Sequence, residues 1–259
     1  MCGEERRGSS KATARFRHRL ADLKRNGCNI LLVGTDALDS ACQRLLGESS
    51  AGPRYRLFVT TDTRPPRAHA RLKSVQSGPY TDAAAVIDWD ADVRGGTATD
   101  CGGPESGESD SGRPDRDDVD SLGGPGFRDS SGPQFHQYAV ESDDLRDLGT
   151  AVEETIEEFD DESGGLSPAE LRLCFDSITP LVADREGRDV RRFLLGLTET
   201  VEKFDGMAHY HLPSEYGSET VEELETLFDA VVEVRHADSE VEQRWHLQDP
   251  KITTDWVPL

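Results

Sequence analysis

Lysine is scarce in this 259-residue chain: five of its 29 basic residues are lysines and the rest are arginines, against 51 acidic residues and a net charge of −22 at pH 7. That shortage of cations excludes a protein that coats nucleic acid by charge alone. Apolar side chains are also few. They make up 35% of the chain, below the roughly 45–50% of an average soluble protein, so part of the sequence is expected to lie outside any core. No run approaches the ~18 apolar residues of a membrane span; the longest, Ile30–Val33 and Ala83–Ile87, are strand-sized. The basic N-terminus is not followed by the apolar stretch of a secretory signal, and a cytoplasmic protein without membrane contact is expected. The five cysteines, Cys2, Cys28, Cys42, Cys101 and Cys174, are odd in number and lack C-x-x-C spacing, which argues against a disulfide framework or a zinc knuckle. Cys28, Cys42 and Cys174 read as small core residues, and a thiol inside a buried strand such as Cys174 is inert. No Gly-x-Ser-x-Gly elbow is present for a serine nucleophile.

What is present is a dense carboxylate surface with arginine in place of lysine, a composition suited to molar salt, where the Debye length is about 3 Å and self-repulsion is screened. Residues 90–135 are dominated by Gly, Asp, Ser, Pro and Arg. Such a stretch cannot bury enough apolar surface to offset its ordering entropy, so it is expected to be a disordered acidic linker. On either side, short apolar runs alternate with helical periodicity. Asn29–Val33, Tyr55–Val59, Ala84–Ile87, Leu171–Phe175, Met207–Leu212 and Ala230–Val234 read as strands, several apolar on both faces as in a covered parallel sheet. Gln243–Leu247 reads as an edge strand. Leu145, Leu148, Val152, Ile156 and Phe159 mark one helix face, and Val190, Phe193, Leu194, Leu197 and Val201 another. The expectation is one α/β fold with six or seven strands, a mostly parallel central sheet and helices on both faces. Its parts are a basic helix at 1–27, a first portion at 28–89, the insert at 90–135 and a second portion at 136–259.

In open parallel sheets the ligand sits beyond the carboxyl ends of the strands, and the first strand-to-helix turn commonly holds phosphate. That turn is Gly34-Thr35-Asp36-Ala37-Leu38-Asp39-Ser40-Ala41. Laid on the spacing G-x-x-x-x-G-K-[ST], it keeps the first glycine only: Asp39 replaces the second, Ser40 the lysine and Ala41 the magnesium-holding hydroxyl. Asp39 adds charge where phosphate needs bare backbone N–H groups, Ser40 supplies no cation and Ala41 no metal oxygen. Leu171–Phe175 followed by Asp176-Ser177 has the form of a Walker B strand, whose Asp holds magnesium in an intact nucleotide site; Asp176 could equally bond loop N–H groups. His209 and His211, two apart on a strand, point to one face and are weak metal candidates, with no third ligand at a suitable spacing.

The stretch Asp144–Val234 resembles the C-terminal half of the RecA/KaiC/GvpD-like ATPase domain. The likeness is carried by an amphipathic helix, the Phe175-Asp176-Ser177-Ile178 strand end, the Arg191–Val201 helix, the Gly206–Pro213 strand and Leu227–Val234. With Asn29–Gly47 and the closing Gln243–Leu247 it covers about two thirds of the chain. More narrowly the sequence resembles a haloarchaeal family of such domains with a degenerate phosphate loop, a polar insert and a tail containing Trp256. The resemblance implies a RecA-like fold with a vestigial nucleotide site at Gly34, Thr35, Asp39, Ser40, Asp176 and Ser177. No counterpart of the family's catalytic Glu follows the second strand, where Thr60-Thr61-Asp62 stands. A non-catalytic regulatory or signal-transduction module acting through protein partners or self-association is therefore expected, without a cofactor. The alternative is an active ATPase that binds ATP and magnesium through an atypical loop. A second alternative is a recombinase-type accessory to nucleic acid. It rests on the first 25 residues, with eight basic against three acidic groups, but nucleic acid is not the expected partner because phosphate contacts weaken steeply with salt.

Overall fold

The apolar runs become strands and the periodic stretches become helices, in the order they occupy along the chain. The computed structural model describes residues 4–47, 52–61, 65–75, 83–89, 135–238 and 240–259. Helix α1 (Glu4–Asn26) leads into β1 (Cys28–Val33), then α2 (Leu38–Leu46), β2 (Tyr55–Thr60), α3 (Pro65–Val75) and β3 (Ala83–Trp89). After the insert come β4 (Phe135–Val140), α4 (Leu145–Ser163), β5 (Leu171–Asp176), α5 (Thr179–Asp184), α6 (Gly187–Lys203), β6 (Met207–Leu212) and α7 (Glu219–Leu224). A single 3₁₀ turn (Glu225–Leu227) precedes β7 (Ala230–Ala237), β8 (Glu240–Gln248), β9 (Lys251–Thr253) and β10 (Val257–Pro258). The expected linker lies outside the described residues, except that Phe135 opens β4.

The strands form one sheet in the order β10-β8-β7-β1-β6-β5-β2-β3-β4, with β9 also paired to β8. Pairs from β7 through β1, β6, β5, β2 and β3 to β4 are parallel; β8 joins β7, β9 and β10 antiparallel. The fold class is thus α/β with a mostly parallel sheet and helices on both faces. Strands from both sides of the insert interleave, since β2 pairs with β3 before it and β5 after it. Among the described residues ten strands replace the six or seven expected. The extra ones are β4, whose His136, Gln137 and Ala139 are exposed at the sheet edge, and the short tail strands β9 and β10. None carries a strong apolar run. The same tail corrects the reading of Gln243–Leu247: β8 is not an edge, because β9 and β10 cover its far side.

Two faces of the sheet bury different cores. One is a continuous apolar layer in which Leu31, Val33, Leu57, Val59, Leu173, Phe175 and Tyr210 meet Leu148, Val152, Ile156, Leu194 and Val201 of α4 and α6. The opposite face is divided. Phe16, Leu20 and Leu23 of α1 pack on Ile30, Leu32, Val232 and Trp245, while α2 and α3 cover Phe58, Val86 and Cys174 with Cys42, Leu46, Ala68 and Leu72. Ala14 of α1 is exposed.

Helix α2 is fastened at both ends. Its C-terminal carbonyls receive guanidinium groups: fully buried Arg56 donates to Leu46 O (3.4 Å) and Gly47 O (2.7 Å), and Arg172 donates to Leu45 O (3.4 Å). Cations there satisfy orphan carbonyls and oppose the helix dipole. At the other end Gly34 has φ +148°, and a Cβ there would stand 2.4 Å from Val234 O. The glycine is therefore required by the approach of β7, whatever the turn once held.

Candidate functional site

Alternation along β5 and β6 sets the site. Cys174 and Asp176 are two apart on β5, and His209 and His211 are two apart on β6, so each pair projects to one face. The parallel register places Cys174 beside His209 and Phe175 beside Tyr210. Phe175 and Tyr210 go to the apolar layer. The Cys–Asp and His–His pairs go to the other face, beneath α2, which contributes Asp39 and Cys42 three residues apart on one helical side.

The resulting cluster is continuous, buried from Arg71 and Asp176 inward and open to solvent at Asp39 and Arg67. Arg71, from α3, donates through Nη1 to Asp176 Oδ2 at 2.7 Å, and its Nη2 pairs closely with Asp39 Oδ1. Arg67 Nη2 stands 3.6 Å from the other Asp39 oxygen. Asp176 Oδ1 lies 3.1 Å from His211 Nδ1, and His211 Nε2 lies 3.6 Å from Cys174 Sγ. Cys174 Sγ is 3.3 Å from Cys42 Sγ. The donor atoms of Cys42, Cys174, His209 and His211 all lie within 4.8 Å of one another. Cys42 and Cys174 are fully buried, His211 is 1% and His209 2% exposed. Yet His209 Nε2, enclosed with them, has no hydrogen-bond partner.

Electrostatics distinguish the members. Burial disfavours the Arg71 charge, but facing Cys42, Asp176 and Asp39 hold its pKa above the ordinary guanidinium value. Burial also works against an imidazolium at His211, but hydrogen bonds to Asp176 and Cys42 win and push it up to about 9. His209 moves the other way, downward, because burial dominates and only weaker attractions oppose it. Burial raises Cys174, and its bonded neighbour Cys42 raises it further. Cys42 is lowered against the effect of burial by hydrogen bonding from Cys174 and by the two imidazoles. The two neighbouring thiols are thus shifted in opposite directions.

The other sequence-predicted residues are dispersed. Thr35 is exposed, and Asp36 accepts the His236 N–H at 3.1 Å. Ser40 lines a cavity of about 1260 Å³ with Phe16, Leu20 and Trp245. The Gly34 N–H donates to Ser214 O at 3.0 Å, so it is not free for a ligand. Ser177 donates its N–H to Thr61 Oγ1 (2.8 Å), and its hydroxyl accepts from Thr179 N–H (3.2 Å), fastening the start of α5. Asp62 lies outside the described residues. The structure brings Asp39 and Asp176 together through Arg71, which the sequence reading had not singled out, and joins His209 and His211 to Cys42 and Cys174. The spacings Cys174-x-Asp176 and His209-x-His211 were visible signals for one shared face; the arrival of Cys42 and Arg71 was not.

A family described as of unknown function, DUF7504, matches residues 27–234. The chain belongs to this family. The matched span runs from the start of β1 into β7, so it contains every residue of the cluster in this DUF7504 member. No curated protein matches the sequence. Among solved structures, a KaiC-like protein of the hyperthermophilic archaeon Pyrococcus horikoshii is similar over 90% of this chain and 85% of that chain, at 13% identity and a TM-score of 0.46. No helix among the described residues is long and apolar enough to cross a membrane.

Proposed function

We propose that this DUF7504 member is a RecA/KaiC-like module without ATPase activity, which works at high salt as a regulatory or signal-transduction component through protein partners or self-association. One observation carries the reading: the guanidinium of Arg71, 8% exposed, joins Asp39 of the degenerate turn to Asp176. In a P-loop enzyme a lysine from the turn meets the phosphates and the Asp at the strand end serves magnesium. Here Ser40 stands in place of that lysine with the acid Asp39 before it, the strand-end acid is already paired, and the cation between the two acids belongs to the protein. A triphosphate entering this space would displace a buried ion pair and meet two carboxylates.

The position of the cluster supports the same reading. Asp176 ends β5 and the turn ends β1, with β6 between them, so both lie at the carboxyl edge where nucleotides bind in this fold class. The N-terminal helix has a use inside the molecule, since Arg19 approaches Asp229 at 3.6 Å and Phe16 packs on Trp245. This favours a helix that neutralises the protein's own acids over an arm for nucleic acid.

The test is calorimetry of the full chain in molar KCl with MgATP and MgADP. No shift in melting temperature is expected at millimolar nucleotide. Because a ligand at 100 times its Kd adds about 2.7 kcal/mol of stability, a rise of several degrees would overturn the reading and favour the ATPase. Sedimentation in the same salt reads self-association directly.

A further inference from the structure

We propose that Cys42, Cys174, His209 and His211 form a closed, four-ligand site for a divalent d¹⁰ metal ion of the zinc type. The proposal goes beyond the scaffold reading and does not depend on it, since no nucleotide is involved on either side.

The donor set is the first reason. Two thiolates and two imidazoles, all with their donor atoms within 4.8 Å of one another, are the chemistry that selects tetrahedral zinc over magnesium or calcium, which take oxygen. Spacing is the second. Zinc bonds of about 2.3 Å to sulfur and about 2.0–2.1 Å to nitrogen place neighbouring donors of a tetrahedron about 3.3–3.8 Å apart. The two sulfurs are 3.3 Å apart, Cys174 Sγ is 3.6 Å from His211 Nε2 and no two donors are more than 4.8 Å apart, so closing on an ion requires the sulfurs to part and the more distant donors to draw in by side-chain adjustment.

The surroundings are those of a metal centre. Asp176 faces His211 Nδ1 at 3.1 Å; with the proton on that nitrogen, Nε2 keeps its lone pair for a metal. A carboxylate behind a ligating histidine is the usual outer partner in zinc sites. Arg71 and Asp39 extend the chain and keep Asp176 in place. His209 Nε2 supplies an independent sign: it is buried and has no hydrogen-bond partner, and leaving such a group unsatisfied is costly. Charge balance agrees as well. Two thiolates cancel a dication, so the loaded centre is neutral inside an apolar surround of Phe58, Ala68, Leu72 and Val86.

With all four donors from protein and no open position, the role is structural. The ion would tie α2, which leaves the degenerate turn, to β5 and β6. It would therefore fasten the elements between which a P-loop protein holds its nucleotide, a metal cross-link in place of a ligand-dependent one. Loading couples to folding, as ligands drawn from three elements meet only in the folded chain.

The full chain, refolded in molar KCl with reductant and Zn²⁺ and then freed of loose metal, is expected to retain stoichiometric zinc. X-ray absorption should find a shell of two sulfurs at about 2.3 Å and two nitrogens at about 2.0–2.1 Å. Refolding with Co²⁺ instead should give the ligand-field bands of a tetrahedral centre and thiolate charge-transfer absorption. Cys42→Ser and His209→Gln should abolish those bands while Cys28→Ser keeps them, and Asp176→Asn should weaken metal affinity by about 10–100-fold. Because the ligand variants could fail to fold, the wild-type spectra decide. Folded wild-type chain that keeps neither Zn²⁺ nor Co²⁺, a metal shell of oxygen and nitrogen only, or a Cys42–Cys174 disulfide formed despite reductant would each overturn the proposal.

Discussion

The two faces of the central sheet solve the burial problem differently. Under α4 and α6 the layer is apolar almost throughout, and the polar groups it holds are paired: Asn29 donates to Thr198 O (3.2 Å) and accepts from the Tyr210 hydroxyl (3.0 Å), and Thr155 donates to Ala151 O. Under α2 and α3 an equally buried region holds two thiols, two imidazoles, a carboxylate and a guanidinium within a thin apolar rim. The first face is held by hydrophobic burial and dispersion, which are non-directional and tolerant of detail. The second needs every polar partner in place, because each unpaired group in a low-dielectric interior is expensive. The contrast shows that this fold concentrates a chemically specific centre on one face of its sheet, beside the turn that follows β1.

That contrast can be broken most sharply at Arg71. Arg71→Leu leaves Asp176 and Asp39 without their buried partner, and removing one member of a buried pair costs about 3–5 kcal/mol. Urea unfolding in molar KCl should show that loss, and its size should change when a chelator is present, since Asp176 also faces His211. A loss below about 1 kcal/mol, the usual worth of an exposed pair, would mean the bridge is a surface contact. On the apolar face Leu194→Ala should cost about 2–5 kcal/mol through a cavity, equally with and without chelator; a chelator-dependent cost would erase the distinction between the faces.

A smaller effect is expected with pH in metal-free protein. His211 sits at about 9 in the folded chain, against about 6.5 unfolded. A raised value stabilises fully below the unfolded pKa and is lost as pH rises through the folded one. Melting temperature should therefore fall between about pH 6.5 and 9. Asp176→Asn removes the acceptor that raises His211 and should flatten this fall; an unchanged slope would show that Asp176 does not set it. Smallest of all is the cap of α7. Ser218 accepts the Val221 N–H at 3.4 Å, and Ser218→Ala should cost about 1 kcal/mol, with no dependence on metal or pH.

The apolar face was readable in advance. Leu145, Leu148, Val152, Ile156 and Phe159 repeat at helical spacing, and Val190, Phe193, Leu194, Leu197 and Val201 do the same; all are buried where that pattern places them except Phe193, which is half-buried. The strands from Cys28 to Val33, Leu171 to Asp176 and Met207 to Leu212 were legible as apolar runs. Those without such runs escaped: β4 is half exposed, and β9 and β10 hold three and two residues. Within the site, Asp176, His209 and His211 stood out by residue type and period-2 spacing, whereas Cys42, Cys174 and Arg71 looked like ordinary core and surface residues.

Local periodicity, turn chemistry and charge are properties of neighbouring residues, so the chain alone settled an α/β fold, the strand-to-helix turn after Val33 and an acidic, lysine-poor composition. Which strands lie side by side is a long-range choice made by packing. Only the order β1-β6-β5-β2, with α2 and α3 laid across it, brings Cys42 to Cys174 over 132 positions and Arg71 to Asp176 over 105. No sequence window spans such separations, and the meeting of these side chains exists only in the folded protein.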